Sequence, residues 1–213
     1  MGRRIRGNPQ VHRQRIAAAA EQIFSQKGIS QTSMDEIAKE AGYSKATLYV
    51  YFKNKAEITT YLTLKSMLAL KELLQRELVQ ASSPKQQFFS MCQDIAAYQQ
   101  EYPYYFSLLL KNINIDPSQF EFPDEEAEIF QAGEDVNGII LSLLNAGIEK
   151  GIFPPGTATK DKVFSLWGML SGVINLAADK QEYIEKELNL TKETFLNRSF
   201  ELLYQALCCN AGK

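Results

Sequence analysis

Histidine and tryptophan each occur once in the 213 residues and cysteine three times, and each shortage removes a class of chemistry. His12, the only imidazole, lies in a basic arm, so paired-histidine zinc sites and histidine-based triads within one chain are excluded. Cys92, Cys208 and Cys209 are odd in number and two of them are adjacent. They make no disulfide framework and a poor metal site, and read as buried or incidental thiols. Gly-x-Ser-x-Gly, a phosphate loop and a dinucleotide fingerprint are all missing. No enzyme, cofactor or metal is expected. No apolar run approaches the roughly 18 residues that span a bilayer, so no membrane partner is expected either. The Ala17–Ala20 run is too short for a signal-peptide core, and a cytoplasmic location is expected. Alternating strand patterns are also lacking.

What the chain has is an uneven charge. The net value is −2, yet residues 1–55 carry ten Lys/Arg against four acids, leaving the remainder acidic. A basic head on an acidic body suggests that one end meets a polyanion. A solvated basic tail explains the arm's charge equally well, above all at Arg3, Arg4 and Arg6.

Helical periodicity runs almost throughout and predicts an all-α protein of about nine helices. Ile16, Ala20, Ile23 and Phe24 share one face of a first helix, ended by Gly28. Ser33 and Glu36 form a capping box that opens a second, Ala41-Gly42 turns the chain, and Ser44 caps a third. Asn54 starts a long fourth helix, to about Ala81, and Ser83-Pro84 a fifth. Pro103 breaks the pattern before a short aromatic helix, and residues 112–123 read as a loop. Three more helices follow: one with Val136, Ile140 and Leu144 on its face, then about 159–178 and 191–208.

The second and third helices, with the turn between them, form a helix-turn-helix. In the third, Leu48 and Phe52 suit a core, whereas Lys45, Thr47, Tyr49 and Tyr51 carry polar tips. A helix that reads the major groove needs that division. The string Ile37-Ala38-x-x-Ala41-Gly42-x-Ser44-x-x-x-Leu48-Tyr49-x-Tyr51-Phe52-x-x-Lys55 closely resembles the DNA-binding domain of TetR-family transcriptional regulators. The resemblance is strong over about residues 10–58; the later helices match only in number, length and order.

The resemblance implies a helix-turn-helix domain with its arm in residues 1–55 and a helical ligand-binding and dimerisation domain in 56–213. It implies a homodimer on a palindromic double-stranded operator, usually repressing, and released by a small molecule. Carried onto matching positions, Ser44, Lys45, Ala46, Thr47, Tyr49 and Tyr51 meet DNA, while Ser33, Lys53 and Lys55 hold phosphates at helix starts. Asp35 departs from the family's pattern, standing where many relatives carry a basic or neutral residue near the DNA backbone.

In the body, Tyr98, Tyr102, Tyr105, Phe106, Phe120, Phe122 and Trp167 make the middle of the chain aromatic-rich. Ordinary core packing explains each singly; together they favour an apolar or aromatic ligand. Tyr98, Tyr102, Phe106, Asn137 and Trp167 are the candidate ligand residues, with Asn175 a further polar group and Glu101 and Glu134 leaving a cationic ligand open. Gly168, Gly172 and Leu203 are the candidate dimer residues, although single-chain packing accounts for the same pattern. A DNA-binding architectural or protein-interaction module without a small-molecule inducer is the competing function.

Overall fold

The computed structural model describes residues 8–80, 83–111 and 124–208, and among them are ten α-helices and no strand. Arg3, Arg4, Arg6, Phe120, Phe122, Cys209, the expected loop at 112–123 and the expected helix end at Ala81 lie outside the described residues. The helix that periodicity missed is α9 (Gln181–Lys186). It has six residues and one buried side chain, Ile184, so it carries no repeat to detect.

One long and two short helices make the head. α1 (Pro9–Lys27) starts at Asn8, whose side chain accepts from the Gln10 amide, with Pro9 at the position where a missing N–H costs nothing. It buries Ile16, Ala17, Ala20 and Phe24 on one face. The alanines let α2 (Met34–Glu40) and α3 (Lys45–Tyr51) pack close, through Ile37 and Ala38 from one and Leu48 from the other. Ser33 and Glu36 form the expected capping box, and Glu36 also takes the Lys27 ammonium at 2.5 Å. Gly42 has φ +71°, and the Tyr43 amide then bonds the Ala38 carbonyl at 2.8 Å, closing α2 with a left-handed residue that an L side chain would strain.

α4 (Lys55–Gln80) begins under the head, with Ile58 and Leu62 buried, and then runs along α7 (Asp124–Glu149). α5 (Pro84–Glu101), capped by Ser83, and α6 (Pro103–Lys111) pack on α4. α8 (Lys160–Asp179) and α10 (Lys192–Cys208) pack on each other at the far side. The turn after α7 is fixed by Phe153, whose amide and that of Ile152 both bond the Gly147 carbonyl. A Cβ on Gly147 would fall 2.1 Å from the Phe153 ring, so only glycine admits that ring.

Candidate nucleic-acid interface and ligand cavity

α3 has seven residues, and its helical turn sorts them cleanly. Leu48 and the C-cap Phe52 are fully buried, anchoring the helix on α1 and α4. Ser44, Lys45, Ala46, Tyr49 and Val50 are exposed together, Tyr49 at 44% and Val50 at 69%. Val50 has no polar tip to mark it in sequence, although the i, i+4 spacing from Ala46 puts it on the same stripe. Tyr51 points elsewhere: half-buried, its ring stacks on His12 at 5.3 Å, and His12 Nδ1 lies 2.6 Å from the Tyr43 hydroxyl. His12 therefore belongs to the head's packing rather than to a solvated arm.

The remaining candidates have intramolecular partners. Ser44 Oγ accepts from the Thr47 amide at 3.1 Å and lies 2.9 Å from its hydroxyl. Ser33 Oγ is taken by its capping box. The Lys53 amide donates to Glu57 while its side chain stays open to solvent. Lys55 Nζ donates to the carbonyls of Ile29 and Thr32, each at 2.6 Å, so its charge pins the α1–α2 connection to the start of α4. Lys45 Nζ sits 2.8 Å from Oδ1 and 3.0 Å from Oδ2 of Asp35, and that hydrogen-bonded carboxylate raises its pKa above the usual lysine value.

In the body, a cavity of about 480 Å³ lies between α4, α6, α7 and α8. Met67, Leu109, Ile129, Phe130 and Trp167 give it an apolar wall, with Glu134, Asn137 and Ser171 as its polar groups. Glu134 accepts from Lys160 at 2.6 Å and from Asn137 at 3.0 Å, and these two partners, in that order, hold its carboxyl below the usual range. Of the five ligand candidates, Asn137 and Trp167 line this cavity. Tyr98 is instead buried with its hydroxyl 3.0 Å from Ser66 Oγ, and Phe106 is core behind Trp167, ring centres 6.3 Å apart. Tyr102 borders a separate groove between α1 and α6. An aromatic-rich segment marks a core and a cavity wall alike, and only packing separates them.

Residues 16–62 match the model of bacterial regulatory proteins of the tetR family. This head is a TetR-family DNA-binding domain. The matched span covers α1 from Ile16 onward, all of α2 and α3, and the first two turns of α4. The HTH-type transcriptional regulator AcrR of Shigella flexneri is 41% identical over 58 residues, which is 27% of either chain. The protein named Probable HTH-type transcriptional regulator ArpR, of Pseudomonas putida, is 25% identical over 90% of this chain and 97% of its own. The transcriptional regulator FadR from Bacillus subtilis, solved in complex with stearoyl-CoA, shares the fold, with TM-score 0.64 and 20% identity over 90% of this chain and 97% of that one. A TetR-family chain is a DNA-binding transcriptional regulator, and no helix among the described residues is long and apolar enough to cross a membrane.

Two polar links join the TetR-type head to the body. Arg13 of α1 reaches Glu125 of α7 at 2.5 Å, its guanidinium lying over the rings of Phe52 and Tyr61. The Tyr105 hydroxyl of α6 donates to Glu21 of α1 at 2.6 Å. Burial and then that bond push the Tyr105 pKa far up, so it remains a donor. On the outer side, Gly168 and Gly172 of α8 have open space where a Cβ would sit. Met169, Leu176 and Leu202 are exposed beside them in the two-helix layer, whereas Leu203 is half-buried against the core. On α10 the helix turns Leu203, the expected dimer residue, toward the core and its neighbour Leu202 outward.

Proposed function

We propose that the protein is a homodimeric repressor that binds a palindromic operator and leaves it when a small apolar or aromatic ligand fills the body cavity. In this reading, residues 1–55 bind DNA and 56–213 bind ligand and partner. The observation that carries it is the exposed stripe of α3. Lys45, Ala46, Tyr49 and Val50 face solvent on a helix of seven residues locked down by Leu48 and Phe52. A rigid, short helix with an ammonium, a phenol and a small apolar side chain facing outward suits base edges and thymine methyl groups.

The ligand part is supported by a cavity of drug-like size with few polar groups, and by a protein of the same fold carrying stearoyl-CoA. The exposed apolar residues of α8 and α10 favour a second copy as partner, and a dimer would set two heads about 34–36 Å apart on successive groove turns. Release follows from the links between head and body. α6 and α7 wall the cavity and also hold Tyr105 and Glu125 against α1, so a ligand that repacks them changes where the head sits.

Selection of bound duplexes from a random pool, with purified full-length protein at moderate salt, tests the reading. An enriched palindrome with two equal half-sites is expected. Salt-sensitive binding that enriches no sequence, even after unfolding, stripping and refolding to remove bound ligand, would overturn it in favour of a non-specific module.

A further inference from the structure

Asp35 places a carboxylate on the surface that the reading above turns toward DNA. A lone carboxylate there repels phosphate, so its partner decides what it does. Asp35 sits in the first turn of α2 and reaches across to the first residue of α3, where Lys45 Nζ lies within 3.0 Å of both carboxylate oxygens. Both side chains remain about 60% exposed, so the pair is open to solvent on its outer side. The stripe of Ala46, Tyr49 and Val50 continues from it.

Such a pair shows an acceptor beside a donor. In the major groove a G·C pair shows the complement: the N7 and O6 acceptors of guanine beside the N4 amino donor of cytosine. The ammonium matches the two guanine acceptors, and the carboxylate matches the cytosine amino group. The distance between Nζ and Oδ1, 2.8 Å, is one hydrogen bond. Guanine O6 and cytosine N4 are likewise separated by one hydrogen bond, so a cyclic four-group contact closes without moving either side chain off the other.

We propose that Asp35 and Lys45 act as one unit that reads a single G·C pair in each half-site, with the cytosine on the Asp35 side. The proposal rests on the sequence-specific reading of the head. It assigns the acid a specificity role: a pair that is already held together loses little freedom on docking, and its carboxylate penalises every DNA that offers no amino group there.

The test uses the full-length protein and the half-site defined by selection, with all four base pairs placed in turn at each position. Wild type is expected to show one position where G·C, in one orientation, binds about tenfold or more above the other three pairs. Asp35→Ala is expected to reduce that ratio to below about threefold at that position alone, and to raise affinity for unrelated duplex. Asp35→Asn, which keeps the side chain's shape, is expected to lose the same preference, so a folding defect in the alanine variant does not decide the outcome. If both variants gain affinity on all sequences but keep every base preference, Asp35 only repels phosphate and the proposal falls. If wild type discriminates at several positions but none is a G·C that depends on Asp35, it also falls, while the operator reading stands. No discrimination at any position removes both.

Discussion

Tyr49 and Tyr51 are two residues apart and lead different lives. Tyr49 is exposed on the stripe, while Tyr51 stacks on His12. Tyr49→Ala is expected to weaken operator binding by roughly 1–3 kcal/mol with an unchanged unfolding midpoint. Tyr51→Ala should lower the urea midpoint first, since an aromatic pair of this kind contributes about 0.5–1.5 kcal/mol beyond its buried area. Equilibrium binding and denaturation of the two variants side by side check the division. Glu36 gives a second residue-scale test. The Lys27 ammonium and the Ser33 amide and hydroxyl hold its pKa down to about 2. A carboxyl depressed on folding stabilises the fold above its unfolded value and loses that contribution as pH falls through the folded one. The wild type should therefore lose stability between about pH 4.5 and pH 2 more steeply than Glu36→Gln, and added salt should shrink the difference. Denaturation series at several pH values would show it.

At the scale of the element, the turn after α7 makes the sharpest prediction. Gly147→Ala forces a methyl group into the Phe153 ring and should cost about 1–3 kcal/mol, with Gly138→Ala in the open middle of the same helix neutral or stabilising. Differential scanning of the two variants decides it. The boundaries of most helices were legible in sequence because caps are local chemistry: Ser33 with Glu36, Ser44, and Ser83 before Pro84 all cap as their spacing implies. α9 escaped because one turn and a half with a single buried isoleucine has no period. The place of Lys55 at a helix start points to a phosphate contact, yet in the fold its ammonium binds the Ile29 and Thr32 carbonyls, whose approach depends on how α1 and α4 pack.

For the whole molecule, the outer face of α8 and α10 is where the proposed dimer is to be tested. Leu202→Glu puts a charge on a side chain that is 67% exposed in the single chain, so helicity should be preserved. Sedimentation should give a dimer for the wild type and a monomer for the variant, with loss of palindromic binding. Coupling between head and body has a built-in reporter, because the only tryptophan, Trp167, lines the cavity. A ligand found by its effect on Trp167 emission should bind more weakly when operator is present, as linkage requires. Glu125→Gln, which weakens the hold of α7 on Arg13, should leave ligand affinity in the free protein largely intact and shrink that difference. Equal ligand affinity with and without operator in the wild type would remove the mechanism.

The residues themselves determined the all-helical class, the capped start of each early helix and the helix-turn-helix string, because periodicity, caps and turn glycines act within a few residues of chain. Packing decided the rest. It turned Tyr51 onto His12, buried Tyr98 and Phe106 while leaving Asn137 and Trp167 on a cavity wall, and brought Asp35 to Lys45 across the turn. Side chains of the same type on neighbouring positions differ only in where the helix axis points them. That direction is set by partners far along the chain: Glu125 for Arg13, Glu21 for Tyr105, and the whole of α7 for α4.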